Sequence, residues 1–374
     1  MTVAVETRFP PVEKGRLFAY RLFDVAESID LGRAEALFAG EAARVRPMRE
    51  VPRFLALAEM PLVVPLGTRE MTFDDGQTLT FAAKIQLYTL GVVSLRYEME
   101  LPPGADATAL AGLVRRVAER GMPEDDVRRE VDQALARIAP ALDRAHTWDD
   151  FETYTVLFIE KFRDAPDLAA LGESREAAQI LLGEPDAALA AETVRDSTKQ
   201  HFRYSANDLC VIDWDTALVV EPGGGLEVVA VVELALMQLL EFRYYDALFE
   251  RELLRVYPLI EEPRQRFWWL FAGKYTDLTR RVQHLVVESA EFVERAENAV
   301  KVIGDFYLAR VYRAALERFR VPEWEASVVR RAELASDVAG LLRTEAQGTL
   351  GIVLEASIVL LILFEIVWAL LFRM

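Results

Sequence analysis

Residues 71–100 read MTFDDGQTLTFAAKIQLYTLGVVSLRYEME and carry the clearest sheet pattern in the chain. Apolar and polar residues alternate around Asp74-Asp75-Gly76, and an Asp-Gly pair is typical of a tight hairpin turn. The segment therefore predicts a hairpin of residues 71–73 with 78–88, followed by a further strand at 91–100. Leu101-Pro102-Pro103-Gly104 ends that strand, because proline cannot donate to a sheet ladder.

Around this hairpin, the order strand, helix, strands, helix occurs twice. The first set comprises a strand at 16–26, a helix at 31–40 capped by Asp30, the hairpin strands, and helices over 106–141. The second set comprises a strand at 151–162, a helix at 173–182, paired strands at 202–213 and 216–221, and a helix after Gly225. The repeated order predicts two related α/β units, 1–145 and 146–261.

The composition limits the class of protein. The chain has 374 residues, of which 52% are apolar and 28% charged, which excludes global disorder. A single cysteine, Cys210, excludes an intramolecular disulfide framework and a cysteine-based zinc cluster. With only three histidines as well, we expect no metal and no cofactor.

Residues 262–348 are predicted to form a helical hairpin or coiled-coil stalk. Its seam residues recur at alternating spacings of four and three, the a/d pattern of a coiled coil: Leu278, Val282, Leu285, Ser289, Phe292, Ala296, Ala299 and Ile303. A matching apolar stripe at 324–345 follows a turn at Pro322, which favours an intramolecular hairpin. An intermolecular coiled coil is the alternative.

The C-terminal run 349–372 reads TLGIVLEASIVLLILFEIVWALLF and carries only two charges, Glu355 and Glu365. As a helix at about 1.5 Å per residue it measures about 36 Å, more than a hydrocarbon core of about 30 Å. It predicts a transmembrane anchor at 349–374, with a buried core helix as the alternative. No apolar leader begins the sequence, so we expect a single-pass membrane protein with its N-terminal bulk in the cytoplasm.

Together the segments predict an α+β chain: an acidic α/β region, a helical stalk and one transmembrane helix. The formal charge is −17, and the excess negative charge lies in residues 1–261, since 262–348 is almost neutral. Phosphates repel an acidic surface, so we expect the α/β region to stand off the lipid bilayer and to bind no nucleic acid directly.

Several residues of the apolar run match a known family pattern. Leu354-Glu355 opens the run, and Glu365 follows ten residues after Glu355. Leu90-Gly91-Val92-Val93 supplies a Gly-Val-Val strand, although Leu95-Arg96-Tyr97 replaces the aromatic residues expected after it. The pattern resembles the YagE / required-for-meiotic-nuclear-division family. The resemblance implies a membrane-tethered, oligomeric protein without established chemistry, whose mitochondrial relatives support organellar translation.

The two glutamates are the most informative charges of the predicted anchor. Glu355 lies near the entry side, whereas Glu365 would lie about 12 Å inside the bilayer. A charge at that depth costs about 3 kcal/mol or more. Glu365 is therefore predicted to contact a neighbouring subunit, with snorkelling or an ion path as alternatives.

Three other patterns have both a structural and a functional interpretation. Gly223-Gly224-Gly225 precedes a helix and is read as a connector rather than an anion site, because no P-loop Lys follows it. His284 with Glu288 and Glu291 is read as a solvated helix face rather than a metal site. Asp213-Trp214-Asp215 is read as a turn rather than a carboxylate pair for acid–base chemistry.

The first functional hypothesis is a non-enzymatic scaffold or tether that self-associates and presents the α/β region to an unknown protein partner. The second is an enzyme with a groove site in that region, at Asp213, Asp215 or His201. The third is an oligomeric membrane conduit that uses Glu365.

Overall fold

The computed structural model describes residues 9–38, 40–44, 61–73, 76–120, 124–261, 272–302 and 305–372. Within these ranges, the structure does not describe the side chains at 44, 120, 256–261, 272–278, 297–302, 342, 344–356 and 369–372. The chain divides into two compact units. The first comprises Met1–Glu241 and Ala296–Pro322, and the second comprises Phe242–Arg295 and Glu323–Met374.

The first unit is built on one large sheet. Its strands are β1 (Val12–Asp24), β3 (Ala43–Arg44), β4 (Leu62–Thr72), β5 (Thr78–Leu87), β6 (Val92–Glu100), β8 (Glu152–Phe162), β9 (Gln200–Phe202), β10 (Leu209–Ile212) and β11 (Thr216–Val220). A separate small ladder pairs β2 (Ser28–Ile29) with β7 (Leu142–Asp143). The strand order is β3-β4-β5-β6-β1-β8-β11-β10-β9, and every pair is antiparallel except β8 with β11.

Helices accompany the sheet in the following order: α1 (Leu31–Leu37), α2 (Ala107–Arg120), α3 (Glu124–Ile138), α4 (Leu168–Leu171), α5 (Arg175–Leu182), α6 (Ala191–Ser197), α7 (Glu227–Glu261), α8 (Ala272–Val302), α9 (Phe306–Arg318) and α10 (Val321–Phe372). The predicted cap of α1 is confirmed, since the Asp30 carboxylate accepts a hydrogen bond from Arg33 N at 2.9 Å.

The central strand β1 separates two different faces. Leu17, Ala19 and Phe23 belong to the apolar core, together with residues of α1, α2, α3 and α5. Because side chains alternate along a strand, Arg16, Phe18 and Tyr20 lie on the second face. The first half of α7 contacts that second face through Glu233, and Phe319 at the end of α9 contacts it by packing on Tyr154 of β8.

The hairpin and strand predictions for residues 71–100 are confirmed by the β4–β5 and β5–β6 pairings. Asp74 and Asp75 of the turn lie outside the described residues. Strands from both predicted α/β segments, 1–145 and 146–261, join the same nine-stranded sheet. The domain boundaries themselves stay a prediction.

The second unit is helical. Phe292 of α8 packs against Phe242 and Tyr245 of α7, with ring centroids 4.8 and 5.4 Å apart. Asp246 of α7 accepts a hydrogen bond from Ser327 and forms an ion pair with Arg331, and both of these residues lie on α10. The described contacts thus run through α7, a helix that the predicted two-helix stalk omitted.

The structure describes some of the residues of the predicted coiled-coil seam. Val282, Leu285 and Phe292 are buried, as are Ser289 and Ala296. The side chains of Leu278 and Ala299, and all of Ile303, are outside the described residues. A role for these residues as a coiled-coil seam stays a prediction.

The C-terminal prediction is wrong. In the part of the chain that the structure describes, no helix combines the length and the apolarity needed for a membrane span. The transmembrane helix at 349–374, the tail anchor, the single-pass localisation with a cytoplasmic bulk, the membrane tether and the membrane conduit are all contradicted.

One glycine between β5 and β6 is required by close backbone packing. Gly91 has φ +86°, and a Cβ atom there would lie 1.7 Å from the Ala26 carbonyl oxygen. The adjacent end of β1 is attached at this point, because Val25 N donates to Gly91 O at 3.1 Å.

We predict that Gly91→Ala lowers the free energy of unfolding by about 3 kcal/mol or more, because strain and a backbone clash add. Gly76→Ala is the matched control: φ is +78°, but no atom lies within 4 Å of the added Cβ. It should cost about 1–2 kcal/mol. Urea unfolding of both variants measures the difference, and equal losses would contradict the packing argument.

Candidate functional site

One of the two carboxylates singled out from the sequence, Asp213, forms an ion pair with Arg318. Asp213 is 2% exposed, and its Oδ1 accepts a hydrogen bond from Arg318 Nε of α9 at 2.8 Å. Trp214 N donates to the same oxygen at 2.7 Å, and Arg318 also reaches Asp196 at 3.2 Å. Burial and the nearby Asp213 charge raise the pKa of Asp215. Asp213 therefore holds the β10–β11 turn to α9.

The histidines do not join this carboxylate pair. His201 Nδ1 contacts Thr198 O at 2.8 Å, and its Nε2 lies 3.3 Å from Glu173. His146 Nε2 lies 2.9 Å from Oδ1 of Asp24, whose pKa is raised by burial. The predicted groove site at Asp213, Asp215 and His201 is thus not brought together.

The remaining predicted sites have local contacts or lie outside the description. His284 pairs with Glu288 one helical turn away, at 2.7 Å. Glu365 is exposed, and the Glu355 side chain is outside the described residues. Their role in oligomer contacts stays a prediction, as do self-association, lipid contact and an unknown protein partner.

A cavity of about 470 Å³ lies where four segments of the first unit meet. Its walls come from the loop before β10, the turn after β11, the first turn of α7 and the start of α9. The charged side chains in its lining are all acidic: Asp208, Glu221, Glu227 and Asp305. Tyr204 and Tyr307 provide aromatic surface.

The cavity lies at the carboxyl end of the parallel pair β8–β11. The parallel pairing ends at Val220 and Ile159, where Glu221 N donates to Ile159 O at 2.9 Å, while β8 continues to Phe162. The carboxyl ends of parallel strands are a common place for ligands in α/β sheets. Gly224 has φ +70°, which lets the chain turn there into α7.

The glycines of this turn leave room for carboxylates. A Cβ atom at Gly223 would lie 2.9 Å from Glu221 Oε1, and one at Gly225 would lie 2.2 Å from Glu227 Oε2. Gly223–Gly225 is thus a connector, as predicted, but it is one that places two acidic side chains at a cavity. Sequence spacing could have indicated Glu221 and Glu227, which flank the triplet.

The four carboxylates are held to different degrees. Asp208 is 7% exposed and accepts from Tyr204 N at 2.7 Å, and Asp305 caps α9 through Leu308 N at 2.9 Å. Glu221 accepts from Gly223 N at 2.9 Å. Among the described residues, Glu227 has no hydrogen-bond or ion-pair partner.

The tyrosines pack together at the cavity. Their ring centroids lie 5.6 Å apart, and Tyr204 is 77% exposed. Burial, together with the nearby Cys210 and Asp208, raises the pKa of Tyr307, so its hydroxyl stays neutral at physiological pH. No Lys, Arg or His is found among the lining residues that the structure describes. The arrangement presents negative charge and π faces to whatever enters.

Comparison with known proteins assigns a family to this chain. Residues 14–227 match the family described as "Uncharacterized protein MJ0711, N-terminal domain", and the chain belongs to that family. It is 27% identical over 223 residues to Uncharacterized protein MJ0711 of Methanocaldococcus jannaschii. The match covers 59% of this chain and 66% of that relative, just under two thirds of its length. It does not bear on the resemblance to the YagE family, which stays a prediction.

We predict that Arg318→Gln lowers the free energy of unfolding by about 3–5 kcal/mol, because it leaves the buried Asp213 charge uncompensated. The matched control is Arg195→Gln, since Arg195 is exposed and, among the described residues, forms an ion pair only with the exposed Glu192 on its own helix. The double variant Asp213→Asn/Arg318→Gln should recover much of the loss. Denaturant unfolding measures these free energies. A loss of stability below about 1 kcal/mol for Arg318→Gln would contradict the prediction that this ion pair is needed to compensate the buried Asp213 charge.

Proposed function

We propose that this member of the MJ0711 N-terminal domain family binds a small organic cation in the cavity between β11, α7 and α9. The observation that carries the proposal is the lining: four carboxylates, two tyrosines and no basic side chain among the described lining residues. A cation is the ligand that such a lining favours, because it relieves repulsion between the carboxylates. The volume is within the usual range of about 300–1,000 Å³ for small-molecule sites.

The aromatic rings support an ammonium ligand. The face of a tyrosine ring attracts a cation by about 0.5–1 kcal/mol at an exposed site. The Tyr204 ring is exposed and lies at the mouth of the cavity, whereas the Tyr307 ring is half-buried and forms part of its wall. Glu227 supplies a carboxylate that no described group occupies.

The spread of the carboxylates favours an extended cation over a single metal ion. No group of three or more His, Cys, Asp or Glu positioned to hold a metal occurs within the described ranges. Separated acidic groups suit a ligand with two or more amines, such as a polyamine. The proposal is binding, and no chemical step is assigned.

The test is calorimetric titration of the full chain with spermidine at about 0.15 M salt, where distant charges are screened. We expect saturable binding, weakened about tenfold or more by Glu221→Gln/Glu227→Gln, since hydrogen bonds to charged groups contribute about 1.5–3 kcal/mol each. Tyr204→Ala should weaken binding about two- to fivefold through the lost ring face.

The matched control is Glu119→Gln, which removes one exposed negative charge from α2, away from the cavity. It should leave the affinity within about twofold. An equal loss in this control would mean that spermidine follows the net charge of −17. Displacement of spermidine by equimolar Mg²⁺ would replace the organic cation with a metal, and absence of binding would overturn the proposal.

A further inference from the structure

The second face of the sheet gathers basic side chains within an acidic protein. Arg16 of β1, Lys84 of β5 and Arg96 of β6 converge on Glu98, at 3.2, 2.7 and 4.0 Å. One carboxylate therefore serves three cations. All four side chains are partly exposed, between 14% and 25%, so the cluster can be reached from solvent.

A second carboxylate extends the cluster without neutralising it. Glu160 of β8 pairs with Arg16 at 3.3 Å and with Lys14 at 2.5 Å. The six groups of this basic cluster, Lys14, Arg16, Lys84, Arg96, Glu98 and Glu160, carry four positive and two negative charges. A local positive excess stands out in a chain of net charge −17.

Aromatic rings hold the two guanidinium groups in place. The Arg16 guanidinium lies 5.3 Å from the Phe18 ring centroid and 5.2 Å from that of Phe158. The Arg96 guanidinium of β6 lies 5.4 Å from the centroid of the same Phe18 ring, on the neighbouring strand β1. Stacking fixes the plane of an arginine side chain and leaves its N–H edge available for an oxyanion.

Around Arg96, three buried polar atoms make no hydrogen bond of normal geometry with any described group, although the Tyr20 hydroxyl lies close enough to the Arg96 guanidinium to interact with it. They are Tyr20 Oη, Ser94 Oγ and Arg96 Nε. Tyr20 faces Arg96 across the β1–β6 ladder, and Ser94 is one step further along the same face, opposite Leu22. Tyr20 is 1% exposed and Ser94 is not exposed at all. Buried polar groups are satisfied in the great majority of cases, so three neighbouring exceptions point to a ligand.

One acidic residue limits where such a ligand would lie. Glu233 of α7 is buried beside this floor, and its carboxylate accepts two contacts from Gln86 Nε2, at 2.9 and 3.2 Å. Gln86 faces Ser94 across the β5–β6 ladder. Glu233 also interacts electrostatically with Tyr20 and Arg96. Because the Gln86 amide already occupies the Glu233 carboxylate, an anion at the Tyr20 and Ser94 hydroxyls would lie on their Lys84 and Arg96 side, away from Glu233.

We propose that this face of the sheet binds a small oxyanion, namely a phosphate group, between Lys84, Arg96 and the Tyr20 and Ser94 hydroxyls. The Arg96 guanidinium and the Lys84 ammonium supply positive charge, and the two hydroxyls donate to the phosphate oxygens. The site is independent of the acidic cavity and takes the opposite charge. A purely structural ion cluster would not need buried hydroxyls beside it.

The test is calorimetric titration of the full chain with inorganic phosphate, at constant ionic strength adjusted with sodium chloride. The decisive variant is Tyr20→Phe/Ser94→Ala, which removes the two hydroxyls and no charge. We expect it to bind phosphate about tenfold more weakly. Because phenylalanine keeps the shape of the tyrosine ring, circular dichroism should show an unchanged fold. A parallel titration with glycerol 3-phosphate distinguishes free phosphate from a phosphate ester as the better ligand.

Two controls separate a built site from surface charge. Tyr204→Phe removes a tyrosine hydroxyl from the exposed cavity mouth and should leave phosphate binding within about twofold. Lys84→Gln should weaken binding, as any basic contact would. If Lys84→Gln weakens binding but Tyr20→Phe/Ser94→Ala does not, phosphate is held by surface charge only and the proposal is wrong. Absence of phosphate binding to the unmodified chain would also overturn it.

Discussion

The central constraint in this protein is the position of β1 between β6 and β8. Both neighbours are antiparallel to β1, and the two ladders fix its register over nearly its whole length. Side chains alternate along a strand, so a slip of one residue would exchange its two faces. Leu17 and Phe23 would then leave the apolar core, and the charge of Arg16 would enter it.

This register also separates the two kinds of chemistry. The first face is apolar and is covered by helices, so it contributes stability. The second face carries the basic cluster, the aromatic rings that hold it and the buried Tyr20 and Ser94 hydroxyls beside it. The acidic cavity lies at the end of the parallel pair β8–β11, where glycines let the chain turn into α7. Opposite charges are therefore presented by one sheet at two different places.

Local patterns predicted individual elements well. The hairpin of residues 71–100 and the Asp30 cap are confirmed, because a turn and a helix start depend on a few consecutive residues. The predicted membrane anchor is wrong, because no helix of the described residues combines the length and the apolarity that a span requires. The predicted groove site failed for a different reason. Asp213 and His201 are close in sequence, but Asp213 pairs with Arg318 while His201 contacts Thr198 and Glu173.

The sequence by itself determined the 71–100 hairpin, the start of α1 and the negative charge of the first 261 residues. These properties depend on neighbouring residues or on a sum over the chain. The sequence did not determine that the predicted strand at 202–213 is divided into β9 and β10 by a loop at 203–208. Only the tertiary structure decided that Asp305 and Tyr307 meet Glu221, or that Arg16, Lys84 and Arg96 share Glu98. Those groups are far apart in sequence, and strand order brings them together through backbone hydrogen bonds that no side-chain pattern records.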